Sequence, residues 1–368
     1  MPSKPSKITL AAVALCCLFA ASLHAGQERK LDPLPQPLSN NAVAAAYNDY
    51  GTKIFSFMGI GPGKASAAIT TSAYEMDLNS GKWDEKRPVP GVVGRLAASA
   101  VALGGQVFIF GGYALDEKGG ETTFSDLNVF VPFENRYYSG KDIPVPVDDA
   151  LAAAYADRYI FLIGGWSGGR SNDQAVPNVQ IYDTAKNAWA QATPNHGTPV
   201  FGHAGAILGN TIVYVDGAYK NPDSNGPKYL ASSECWMGKI PDPKKGDITK
   251  IEWTKLPPHP GDARFRIAAG AGPAGKKGGK IYFSGGTANP YNYAGVGYDG
   301  HTPEPSPVAF AFDTRTEKWE TINENLPDPT MDQRALLVTH RGLLLVGGMD
   351  KGQKVTANVT IVKEGSKK

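Results

Sequence analysis

The chain has 368 residues, 42% of them hydrophobic, with 43 glycines and a formal charge of +2. That length could hold two ordinary domains, but the small charge and the lack of a basic stripe mixed with aromatics exclude a nucleic-acid binder. Abundant glycine beside ample apolar content suits an all-β chain with many tight turns.

The first segment reads as a targeting signal. Lys4 and Lys7 supply a positive start, residues 8–23 are apolar but short of a full membrane span, and Ala25 is a small residue at a cleavage position. Cutting after Ala25 is expected, which makes residues 1–25 a signal peptide, the protein periplasmic or secreted, and the mature chain free of a membrane span. Cys16 and Cys17 leave with the leader, and Leu15 is too large to precede a lipoprotein cysteine. The mature chain then keeps Cys235 alone, so no intrachain disulfide can form. Residues 26–38 are polar and rich in proline.

From there one phrase recurs. Val107, Phe108, Ile109 and Phe110 run into Gly111 and Gly112, and Ile160 to Ile163 run into Gly164 and Gly165. Ile281, Tyr282, Phe283 and Ser284 precede Gly285 and Gly286, and Leu343, Leu344, Leu345 and Val346 precede Gly347 and Gly348. Degenerate copies end at Gly59 and Gly217, with Met58 and Asp216 in the place of the first glycine. A continuous apolar run of this length is a buried strand, and a terminal glycine lets the backbone bend or approach a neighbour closely. Six copies, roughly 50–70 residues apart, predict a repeat architecture that spans the mature chain as one domain, 26–368.

Each copy also closes alike. Asp183 is followed by a turn and Trp189, Asp313 by a turn and Trp319, and Trp83 follows the turn at residues 79–82. Tyr137 replaces the tryptophan in the second repeat, and Trp253 stands before Leu256 in the stretched fourth. The sixth repeat, from about Pro329, ends without a fourth strand or a tryptophan. An unpaired blade edge is a liability in a ring, so residues 30–38 are expected to pair with 356–362 as the missing outer strand, where prolines are tolerated.

This order of features resembles the kelch repeat over roughly residues 39–362. The resemblance implies an all-β, six-bladed kelch-type β-propeller with one four-stranded blade per repeat, closed by an N-terminal strand in the last blade. In such a meander the loops between second and third strands share a face with the connections between blades, and here those loops are the long ones. Long loops gathered on a rigid scaffold are where binding usually sits.

On that face the sequence places Arg95, Asp149, Arg266 and Arg334 at blade starts, and Arg170, Asn172, Asn292 and Tyr293 in long loops. Arginine forks suit a carboxylate, and the amide and aromatic groups around Asn292 and Tyr293 suit a sugar. His203 reads either as a catalytic group or as a hydrogen-bonded spacer between blades. Asp216 reads either as a general base or as a turn cap. The six histidines show no metal-ligand spacing, so no metal or other cofactor is called for. Copper radical oxidases also use kelch propellers, but Cys235 is the sole candidate for their crosslink and sits in a strand pattern.

The closer resemblance is to the bacterial periplasmic sialic acid mutarotases, also called N-acetylneuraminate epimerases, which share the length, the leader, six kelch repeats and the proline-rich N-terminal segment. That resemblance implies a small acidic sugar or glycan as ligand, arginines on its carboxylate, and Asp216 or His203 as proton-transfer group in ring opening. The family carries an acid after the glycine of the fourth buried strand and an arginine six residues on, where this chain has Ala218 and Ser224. The alternative is a non-catalytic interaction module that binds a protein, such as a periplasmic one, or a glycan. A monomer or weak oligomer is expected in either case.

Overall fold

The computed structural model describes residues 30–48, 51–91, 93–168, 173–275, 278–363 and 365. The expected leader and its cleavage position lie outside these residues. Among them, everything regular is β-strand apart from three single turns of 3-10 helix. No described helix is long and apolar enough to cross a membrane.

Five antiparallel sheets have four strands each. The first holds Ala42–Asn48, Gly51–Phe57, Ala73–Asp77 and Lys82–Lys86, and the second Ser99–Leu103, Gln106–Phe110, Leu127–Val131 and Arg136–Ser139. The third holds Leu151–Tyr155, Tyr159–Ile163, Val179–Asp183 and Ala188–Ala192, and the fourth Ala204–Leu208, Thr211–Val215, Cys235–Lys239 and Glu252–Leu256. The fifth holds Phe265–Ala271, Lys280–Thr287, Ala309–Asp313 and Lys318–Asn323. The sixth shows three strands, Leu337–Thr339, Gly342–Val346 and Val359–Val362. The first strand of every blade packs against the first strand of the next, and the sixth against the first, so the blades form a closed ring. The fold is a six-bladed β-propeller.

Side-chain size explains the radial order. Six first strands converge on one axis, and they are built from small residues such as Ala44, Ala100, Ala152, Ala206 and Ala269. At Gly270 even a methyl group would come within 2.0 Å of the Leu336 carbonyl oxygen. On the half of the axis away from the long loops these strands enclose an apolar channel of about 270 Å³. The second strands are buried on both faces, and the core lies between blades. Phe55 and Phe57 of the first blade, for example, pack with Val107, Ile109 and Phe130 of the second. Each such aromatic contributes roughly 1.5–3 kcal/mol on burial.

Two features of the repeated phrase turn out to be clamps between blades. The fourth-strand aromatic donates to the carbonyl just past the preceding blade's fourth strand. Tyr137 reaches Arg87 at 3.0 Å, Trp189 reaches Lys141 at 2.8 Å, Trp253 reaches Thr193 at 2.9 Å and Trp319 reaches Pro257 at 2.9 Å. The second glycine of the pair donates its N–H to the connection entering the next blade, as in Gly112 to Val147 at 3.3 Å and Gly165 to Val200 at 3.1 Å.

The same two clamps act at the seam of the ring. Trp83 Nε1 donates to the Asp32 carbonyl at 3.0 Å, and Gly348 N–H donates to Leu38 at 2.8 Å. Residues 30–38 therefore occupy the place of a blade-to-blade connection and not, as expected, of a strand. Their hydrogen bonds to the sixth blade are Leu34 N–H to Ala357 at 2.7 Å and Leu38 N–H to Thr356 at 3.2 Å. Pro33, Pro35 and Pro37 have no amide to give a ladder. Asp32 holds the position that directly follows a fourth strand in the other blades. Leu31, Leu34 and Leu38 instead fill the core between the sixth and first blades.

Candidate functional site

Every blade's connection ends in one residue with positive φ: Asn40, Ala97, Asp149, Gly202, Arg266 and Asp332. Asn, Asp and Gly take this left-handed turn readily, whereas for Ala97 and Arg266 it costs about 1–2 kcal/mol each. The turns are held by bonds that step from blade to blade around the axis. Asp149 N–H donates to Ala97 at 3.0 Å, Gly202 N–H to Asp149 at 2.9 Å, Arg266 N–H to Gly202 at 2.7 Å and Asn40 N–H to Asp332 at 3.3 Å.

Three of these residues, with Arg334, build a buried charge cluster on the axis. Arg266 lies 2.9 Å from Asp149 and 3.0 Å from Asp332. Arg334 bonds to the other oxygen of Asp149 and lies 3.7 Å from Asp332. Tyr291 donates to Asp332 at 3.0 Å, and Ser39 donates to its second oxygen. Burial works against the Arg266 charge, but Asp332 and its other neighbours hold its pKa well above the usual value. Burial lowers Arg334 to about 10. Two carboxylates and two guanidiniums cancel, and together they close the axis between the long-loop face and the alanine-lined channel.

Above this floor is a funnel. The long loops fold as short hairpins, Tyr113–Leu115 with Glu121–Thr123 in the second blade, Trp166–Ser167 with Gln174–Ala175 in the third, and Ala218–Lys220 with Tyr229–Ala231 in the fourth. The fifth blade's loop crosses the axis, placing Tyr291 on the floor and Asn292, Tyr293 and Tyr298 in the wall. The rings are in contact, Trp166 to Tyr229 at 5.6 Å and Tyr229 to Tyr298 at 4.8 Å. The wide part has a volume of about 480 Å³ and is lined also by Glu121, Asp173, Lys220 and Lys228. It narrows to a throat of about 30 Å³ that reaches Tyr113, Asp148, Asp149 and Arg266.

Two acids in this funnel have the properties of proton-transfer groups. Asp148 is 4% exposed and accepts a hydrogen bond from Thr123 Oγ1 at 2.7 Å. Burial raises its pKa to about 7, opposed by Thr123 and raised further by Glu121. Glu121 stands in the funnel wall, where desolvation raises its pKa as well. A carboxyl half-protonated near neutral pH can take and return a proton at little cost.

The expected site residues divide. Asp149, Arg266 and Arg334 meet on the axis, and Asn292 and Tyr293 line the funnel. Arg170 and Asn172 lie outside the described residues. Arg95 stands apart from the other two arginines, bonded to Asp126 and Gly111 and lying over the Phe124 ring at 4.3 Å. The three arginines do not converge as expected: two are neutralised by aspartates and the third is in a blade wall. Asp216 and His203 do not line the funnel. Asp216 is enclosed between the fourth and fifth blades, 2.8 Å from His259 Nε2. His203 is packed against the Tyr214 ring between the third and fourth blades, where burial lowers its pKa to about 4. Ala218 is buried against Phe201 and Tyr229. Cys235 is buried at the start of a third strand, its thiol pushed up to about 12. Glu121 had no distinguishing mark in the sequence beyond its place in a long loop.

The Kelch motif family matches residues 150–196, which is the third blade. The chain is a six-bladed β-propeller that carries a kelch motif in its third blade and repeats that blade's clamps around a closed ring. The propeller is 25% identical over 308 residues to the N-acetylneuraminate epimerase of Salmonella arizonae, covering 74% of this chain and 73% of that protein. It is 29% identical over 346 residues to the N-acetylneuraminate epimerase of Brucella melitensis, covering 89% and 77%. The solved structure of YjhT matches it with a TM-score of 0.69 at 18% identity, over 90% of this chain and 97% of that one.

Proposed function

We propose that the funnel binds a small acidic sugar, sialic acid being the leading case, and catalyses exchange of its anomers. The observation that carries the reading is an acid of pKa about 7, Asp148, at the base of an aromatic-walled funnel. Aromatic faces with polar edges suit a sugar ring, and the funnel is of the size that encloses small ligands. The similarity to N-acetylneuraminate epimerases supports the ligand class.

In this reaction the anomeric hydroxyl loses its proton as the ring C–O bond breaks, and the ring oxygen gains one. The open-chain carbonyl then recloses from either face, so protons balance over a cycle. Asp148 exchanges the proton at the throat, with Glu121 beside it as the second group, in place of Asp216 and His203. The leader read at residues 1–25 supports a periplasmic or secreted setting for this activity.

The test is an NMR time course of N-acetylneuraminate anomer equilibration with and without the protein, paired with calorimetry. Acceleration together with saturable binding is expected. Binding without acceleration would leave a non-catalytic glycan-binding propeller. Neither binding nor acceleration would overturn the sugar reading in favour of a protein-binding module.

A further inference from the structure

We infer that Lys220 and Lys228 form the anion subsite of the funnel, so that the sugar's carboxylate stays in the wide part against these lysines while only a hydroxyl enters the throat. The inference rests on the acidic-sugar reading above and assigns its charge recognition to residues other than the axial arginines.

The positive charges that line the wide part of the funnel come from one hairpin. Both lysines belong to the fourth blade's hairpin, where Lys220 pairs in register with Tyr229 and Asn221 N–H donates to Lys228 at 3.0 Å. The Lys228 ammonium lies 5.1 Å from the Tyr229 ring centre. Glu121, from the second blade's hairpin, and Asp173, from the third blade's loop, are the acids that line the same space. An anion is drawn to the hairpin that carries both lysines, and the Lys228 charge already acts on Glu121 in the same space.

The floor cannot serve instead. Arg266 already faces two buried carboxylates at 2.9 Å and 3.0 Å, and a third would have to displace one of them or share its space with Asp148 and Asp149. The throat, at about 30 Å³, is far smaller than the wide part and is bordered by Asp148 and Asp149, so a carboxylate placed there would meet two acids at once. The wide part, at about 480 Å³, takes the ring and the carboxylate together.

Calorimetry with N-acetylneuraminate and its methyl ester, on the unaltered mature protein and on a Lys220→Gln, Lys228→Gln double variant, tests the assignment. The double variant loses two exposed ion pairs, so it should bind the acid about tenfold more weakly and the ester within about twofold of the unaltered protein. The acid's affinity should fall with salt in the unaltered protein and lose most of that dependence in the variant. Both lysines are exposed, so a thermal melt should show the fold intact. Undiminished binding of the acid by the double variant would overturn this assignment alone. No binding of either sugar by the unaltered protein would overturn it together with the acidic-sugar reading.

Discussion

Asp148 and Asp216 are two buried aspartates with the same electrostatic complaint and opposite situations. Burial raises the carboxyl pKa of both. Asp148 lies in a blade-to-blade connection, holds one hydroxyl donor, and borders the throat of the funnel. Asp216 stands in the place of the first glycine of a pair, with φ of 66°, and is sealed between blades. Its partner His259 is stacked on Phe310 at 4.2 Å with Nδ1 2.8 Å from the Pro260 carbonyl. That carbonyl can only accept, so Nδ1 carries a proton, and a further proton is held between Nε2 and Asp216. A raised pKa therefore marks a site only where the acid also meets a space that a ligand can reach.

The sharpest way to break the comparison is to remove each acid in turn. Asp148→Asn should slow protein-dependent anomer exchange by about 10²–10⁴, read by NMR, whereas Asp216→Asn should leave the rate within about twofold. Equal losses in both would erase the distinction. Next in size, Arg266→Met leaves Asp149 and Asp332 with one arginine between them and should cost about 3–5 kcal/mol in denaturant unfolding. A neutral outcome would mean that the axial cluster does not bear on stability. Asp216→Asn should itself cost about 1–3 kcal/mol, a structural penalty without a catalytic one.

The smallest effect is in the pH dependence of stability. The folded pKa of Asp148 is raised from 3.8 to about 7, so the fold favours its protonated form. That contribution is fully present below 3.8 and is lost as pH rises through about 7. Between about pH 6 and about pH 8 the unaltered protein should lose about 1.4 kcal/mol more than Asp148→Asn, a difference of about 2–4 °C in Tm. Parallel Tm curves for the two proteins would contradict the raised pKa.

Six blades, their order and the loop face could be read from the sequence because the signals are local. The apolar run, the glycine pair and the tryptophan recur within each repeat, and each fixes a strand, a left-handed turn or a clamp. The seam was misjudged in detail, because residues 30–38 carry the prolines of an edge strand and of a connection alike. The lining of the candidate site was legible as a list of residues on one face, Asp149, Arg266, Arg334, Asn292 and Tyr293 among them, but not as an arrangement. Arg334 and Asp149 are 185 residues apart in sequence, and Arg266 and Asp149 117. Nothing near either arginine says that aspartates from other blades neutralise it. Glu121 was missed for a related reason, since it becomes part of a wall only when its loop folds as a hairpin beside Trp166 and Tyr229.

The central claim is that Asp148, at the base of the funnel, exchanges the proton in ring opening. Its most direct test is the pH–rate profile of protein-dependent anomer exchange, corrected for the spontaneous reaction, in the unaltered protein and in Asp148→Asn. A break near pH 7 in the unaltered protein that disappears in the variant is the result this account predicts. The same break in both proteins, at undiminished rate, would contradict it.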